Sequence, residues 1–156
     1  MSTHHEKKRL PYSADQMFDL VADVASYPKF LPWCSEALIL SREVKNGTET
    51  MIADLVISFK VYRERFRSDV ILDRAARKIT TRYLDGPFKH MESEWRFNFV
   101  GETACDVDFE IDFEFKNRML QTLIGVVFAE AVRRMVAAFE GRARALYGGR
   151  LRGTGG

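Results

Sequence analysis

The chain reads as a single α+β domain, a curved antiparallel sheet of about seven strands laid around one long C-terminal helix, and three patterns predict it. Apolar residues recur with period two over 36–115, turn signals cut that stretch at hairpin-like intervals, and the period changes to 3.6 beyond Lys116 and Asn117. With 156 residues, 46% of them hydrophobic, the chain can bury one sizeable core but not two. Residues 1–148 are therefore assigned to one domain and the glycine-rich 149–156 to a disordered tail.

The opening residues His4 to Leu10 can supply one strand, with Lys7 and Arg9 placed to offset an acidic strand beside it. Ser13 stands three residues before Gln16, the capping-box distance, and Phe18, Val21 and Val24 follow at helical spacing, so a short helix is expected over about 14–24. Next, Pro28 and Pro32 forbid a long regular helix, while Tyr27, Phe30, Leu31 and Trp33 demand burial or a ligand. A short helical turn or structured loop results.

About six strands follow. Ala53, Leu55, Ile57 and Phe59 alternate with Asp54, Ser58 and Lys60, and Phe66, Val70 and Leu72 alternate with Arg65, Arg67 and Asp73. Trp95, Phe97 and Phe99 oppose Glu94, Arg96 and Asn98, and the aromatic and aliphatic residues from Val107 to Phe115 oppose a comb of five carboxylates from Asp106 to Glu114. Turns at Asn46-Gly47, Asp85-Gly86-Pro87 and Gly101-Glu102-Thr103 make the pairing antiparallel. Beyond Asn117, Leu120, Leu123, Ile124, Val127, Phe128, Ala131, Met135, Ala138, Phe139 and Leu146 form one broad stripe. A helix of that extent, roughly 40 Å at ~1.5 Å per residue, can lie across the whole sheet and enclose an apolar cavity.

Composition narrows the function. Lys+Arg 24 against Asp+Glu 22 leaves a formal charge of +2, so bulk charge argues neither for disorder nor for a DNA partner. Cys34 and Cys105 are too few for a disulfide scaffold and lack zinc-site spacing, which makes a reducing, cytoplasmic setting the default. The N-terminus has no apolar signal region, and the apolar stretch 119–129 falls short of the roughly 20 residues that cross a bilayer, so a soluble or peripheral protein is expected. His4 and His5 would face opposite sides of a strand, and no metal site is assigned.

The octet Tyr27-Pro28-Lys29-Phe30-Leu31-Pro32-Trp33-Cys34, the turn Gly86-Pro87-Phe88-Lys89, Trp95-Arg96-Phe97 and the helical Ala138-Phe139-Glu140-Gly141-Arg142-Ala143 occur in the order that resembles the coenzyme Q-binding START-domain proteins of the polyketide cyclase superfamily. The resemblance implies a helix-grip fold whose cavity holds a polyisoprenoid quinone, a ligand and not a cofactor. It implies a lipid chaperone supporting respiratory electron transport and quinone biosynthesis. Relatives with this domain also act as toxins that hinder ribosomal subunit association, so the resemblance implies that second role as an alternative, and the superfamily name suggests a third, an aromatic cyclase or dehydratase.

The residues weigh against catalysis. His4, His5 and His90 fall in no Ser-His-Asp or Cys-His setting, Cys34 has no activating neighbour, and there is no glycine-rich nucleotide loop. The carboxylate comb is what any solvated sheet face shows. A binding protein that is not an enzyme is expected. Strand and helix phase assign Phe59, Phe66, Tyr83, Trp95, Phe97, Phe109, Phe113, Phe128 and Met135 to the ligand, with Tyr62, Ser68, Thr81 and Tyr83 as donors to quinone carbonyls.

The nearly uncharged start of the long helix and the proline-aromatic segment supply two apolar patches. Phe30, Leu31, Trp33, Leu123 and Val127 are assigned to a mouth that either packs closed or opens to a membrane. Over 133–152 six arginines, at 133, 134, 142, 144, 150 and 152, face the single acid Glu140, a local charge of +5 that suits an anionic membrane surface or ribosomal RNA. Without interleaved exposed aromatics, base stacking is disfavoured. The expected location is the cytoplasmic side, peripheral to the inner membrane.

Overall fold

The computed structural model describes residues 2–148, so the assigned tail at 149–156 lies outside the described residues. Seven strands form one antiparallel sheet: β1 (Ser2–Leu10), β2 (Cys34–Lys45), β3 (Thr48–Phe59), β4 (Tyr62–Asp73), β5 (Lys78–Asp85), β6 (Phe88–Gly101) and β7 (Ala104–Phe115), in the order β1-β7-β6-β5-β4-β3-β2. The meander from β2 to β7 follows the alternation of apolar residues. β1 closes the far side by pairing with β7, and the expected charge match is met there: Lys7 stands opposite Asp108, and Arg9 bonds Asp106 at 2.8 Å. At the β2–β3 turn Asn46 and Gly47 take φ of 53° and 80°, the left-handed pair a two-residue hairpin needs.

Helix α1 (Ala14–Ala22) begins where its capping box predicts. The Ser13 hydroxyl accepts from the Gln16 amide at 3.0 Å, and the Ser13 amide donates to the Gln16 side chain at 2.9 Å. A 3-10 turn at Val24–Lys29 carries the chain past Pro28 to β2.

The C-terminal helix departs from the single regular rod expected. It comprises α2 (Arg118–Leu120), a π-helical turn at Gln121–Gly125, α3 (Val126–Arg133), a break at Arg134, α4 (Met135–Ala143) and a second π-helical turn at Arg144–Gly148. The buried positions Ile124, Phe128, Val132 and Val136 recur every four residues. On a regular helix each such step advances the stripe by about 40°, so a straight helix would carry them off the sheet. The wider π turns and the Arg134 break, whose amide bonds the Ala131 and Val132 carbonyls, keep the face turned inward.

Candidate functional site: an apolar passage under the helix

Between helix and sheet the aromatic residues do not fill space evenly. Two small cavities lie under the helix, of about 80 and 40 Å³, and Tyr27, Leu55, Phe66, Thr81 and Trp95 line both. Outside them an apolar groove of about 330 Å³ runs between the Leu31–Trp33 segment, the β3–β4 hairpin and α3–α4. Leu31 and Trp33 line the groove on one side and the larger cavity on the other. They form a thin partition, with the Trp33 ring set edge-on against Phe128 at 5.6 Å and the Trp33 carbonyl held by the Ser58 amide at 2.8 Å. At ~30 Å³ per water the inner cavities hold only a few waters, below the ~300 Å³ at which drug-sized sites begin. The partition is closed in this structure.

The expected ligand residues divide. Phe66, Trp95, Phe109, Phe128 and Met135 line the inner cavities. Phe59 lines the outer groove instead, at the hairpin end of β3. Phe97 is buried below the cavities, stacked under Trp95 and edge-on to Phe18. Phe113 and Tyr83 pack against Phe88, in a cluster with Phe66, Phe115 and Phe128 that leaves no room for a ligand. Of the mouth residues, Leu31, Trp33 and Val127 line the groove. Leu123 is partly buried against the core and does not reach the groove, and Phe30 turns away onto Tyr27 and Phe139 under the Arg142 guanidinium.

The expected hydroxyl donors also part company. Tyr62 is exposed at the hairpin end of β4, away from both cavities. Thr81 lines both cavities, and Ser68 lines the deeper one. The Ser68 and Tyr83 hydroxyls are buried without a hydrogen-bond partner among the described residues, although the two stand opposite each other across β4 and β5. Leaving such a group unpaired costs about 1–3 kcal/mol. Tyr27 closes the inner side, its hydroxyl donating to the Val21 carbonyl at 2.5 Å, and burial holds its ionisation far above the ordinary range.

Further lining residues were not assigned to the ligand from phase alone, among them Ala53, Met91, Ser93, Ile111 and Phe139. The signal for the small ones was size: Ala53 and Ser93, with Ser68 and Thr81, are small residues on the inward phase of four neighbouring strands.

No charged side chain lines either inner cavity. Arg133 and Arg134 both clasp Glu130, at 2.6 and 2.7 Å, and hold its carboxyl below the usual range; Arg144 lies 4.0 Å from Glu140. Arg150 and Arg152 lie outside the described residues. Cys34 is buried, and burial pushes its thiol up to about 12, so it is a packed thiol with no thiolate character at neutral pH. Among the described residues no group of three His, Cys, Asp or Glu is arranged for a metal, and no helix is long and apolar enough to cross a membrane.

A curved seven-stranded sheet gripping a C-terminal helix over an apolar interior defines a START-like helix-grip protein. Residues 10–140 match the polyketide cyclase/dehydrase and lipid transport family, and the chain belongs to that family. It is 36% identical over 149 residues to the ribosome association toxin RatA of Pseudomonas aeruginosa, covering 95% of this chain and all of that one. It is 37% identical over 149 residues to the mitochondrial coenzyme Q-binding protein COQ10 homolog B of Xenopus laevis, covering 93% of this chain and 59% of that one. A START superfamily protein from Mycobacterium smegmatis superposes with a TM-score of 0.76 over 92% of this chain and 98% of that one, at 21% identity, a likeness of fold alone.

Proposed function

We propose that this protein binds a polyisoprenoid quinone of the ubiquinone type, or a closely similar hydrophobic lipid, and acts as a lipid chaperone for respiratory electron transport and quinone synthesis without catalysing a reaction. The observation that carries this reading is the apolar route itself, an open groove divided by a two-residue partition from inner cavities that end at a buried hydroxyl. A solid core would need neither the groove nor the unpaired Ser68. The family's lipid-transport description and the coenzyme Q-binding relative support the same reading.

The protein works at the cytoplasmic side of the inner membrane, with the groove as its contact. Apolar side chains are exposed around that groove: Val61 at 87% on the hairpin that carries Phe59, and Val126 at 68% beside Val127. Lys60, on the same hairpin, stands close by in the chain and supplies a cation for anionic headgroups.

Ribosome association is the second reading, and what favours it is the toxin relative, at 36% identity against 37% for the coenzyme Q-binding relative. The arginines of the long helix support it less than their number suggests, since Arg133, Arg134 and Arg142 are already engaged by Glu130 and Phe30. One paired assay separates the readings. The purified protein should carry ubiquinone from donor to acceptor vesicles at a rate proportional to its concentration and leave the joining of ribosomal subunits unchanged. Inhibited joining with no quinone transfer would establish the second reading instead.

A further inference from the structure

Ser68 is the buried, unpaired polar group at the inner end of a mostly apolar route. Its residue is only 3% exposed, its hydroxyl has no partner among the described residues, and it lines the deeper cavity together with Ala53, Phe66, Thr81, Val70 and Trp95. The sheet ladder uses the main chain around it, so the unsatisfied hydroxyl points to a guest group. No residue lining either inner cavity is charged, whereas Glu130 and Arg134 line the outer groove. A carboxylate, phosphate or ammonium head drawn inward would lose its water and meet no counter-charge. A neutral carbonyl would lose far less and would gain the bond that Ser68 lacks.

We infer that, when Leu31 and Trp33 part and the inner cavities widen around a guest, Ser68 donates its hydroxyl to an uncharged carbonyl oxygen of the bound lipid, so that the carbonyl-bearing head enters first and the tail trails past Leu31 and Trp33 into the groove. This rests on the lipid-binding reading above and adds to it an orientation and a selectivity: quinones, ketones and esters are admitted, fatty acids and phospholipids are not. Thr81, which lines both cavities on the neighbouring strand, is the second hydroxyl along the path.

The test uses the full chain and three probes with chains of nearly equal length: a dimethoxy-methyl-decyl-benzoquinone, decylbenzene and decanoate. Calorimetry should show the wild-type protein binding the quinone most tightly and decanoate least. Ser68→Ala should weaken the quinone by about threefold to tenfold, the range of one net hydrogen bond, and decylbenzene by less than about twofold. With carbon-13 in the quinone carbonyls, the infrared band of one carbonyl should fall in frequency on binding to wild type and return in Ser68→Ala. The wild-type band decides the matter even if the variant fails to fold. Binding of quinone and decylbenzene with equal affinity and no carbonyl shift would overturn the Ser68 anchor while leaving lipid binding intact. Failure of wild type to bind either neutral probe would overturn the lipid reading and the anchor with it.

Discussion

Two neighbouring regions of the interior are built from the same kinds of side chain and end up different. Around Phe88 five aromatic rings, those of Phe66, Tyr83, Phe113, Phe115 and Phe128, stand 4.8 to 6.3 Å away, most of them edge-on. Nothing small intervenes, and the region is solid. Around Trp95 the rings of Phe109 and Phe139 are as close, at 4.4 and 5.0 Å, yet cavities remain, because β3 to β6 present Ala53, Ser68, Thr81 and Ser93 to the same interior. Rings do not make a chamber. Small residues facing rings do.

The largest expected effect lies in the solid region. Phe88 is fully buried, and Phe88→Ala should cost about 3–5 kcal/mol in urea unfolding, the sum of lost transfer energy and an uncollapsed hole. Gly86→Ala, at the turn that sets Phe88 against Phe66, should cost about 3 kcal/mol. Gly86 has φ of 140°, and a Cβ there would stand 2.7 Å from the Arg65 carbonyl oxygen and 2.8 Å from the Phe66 Cα. If either substitution were tolerated, the contrast between solid and hollow would be wrong.

A smaller effect is expected on acidification. Behind the hollow region, on the outer face of β3 and β4, Asp54 accepts from Arg67 at 2.8 and 3.1 Å, and that bond holds the Asp54 carboxyl below the usual carboxylate range. A depressed folded value contributes stability that is present at neutral pH and lost as pH falls through it. The β3–β4 pair, which contributes only Phe66 to the aromatic block, should therefore loosen first. Amide exchange in β3 and β4, corrected for intrinsic rate, should rise about tenfold between pH 5 and pH 3 while β6 and β7 change less. Uniform change across the sheet would break the comparison.

The smallest stability effect should come from filling the chamber. Ser93→Val adds bulk where about 80 Å³ is free and should alter unfolding by less than about 1 kcal/mol while abolishing binding of a decyl-benzoquinone. A stable variant that still binds would place the ligand elsewhere.

Much of this was legible in the sequence and some was not, for definite reasons. The alternation in β3–β7, the Ser13 capping box and the charge complement between β1 and β7 act locally or between adjacent strands, where spacing fixes geometry. Phase identified Trp95, Phe109, Phe128 and Met135 as inward, and each lines a cavity. Phase could not separate those from Phe97, Phe113 and Tyr83, equally inward but packed among other rings, because hollowness depends on what faces a residue across the interior. The break at Arg134 was likewise hidden, since its cause is the four-residue spacing of buried positions measured against the whole sheet.

The most direct test of the chamber is organic extraction and mass spectrometry of the protein purified without added lipid, alongside Ser93→Val prepared in the same way. The account predicts a polyisoprenoid quinone, or a neutral carbonyl lipid like it, approaching one per chain in wild type and absent from the variant. Wild-type protein that carries no such lipid, or carries it at the same level as Ser93→Val, would contradict it.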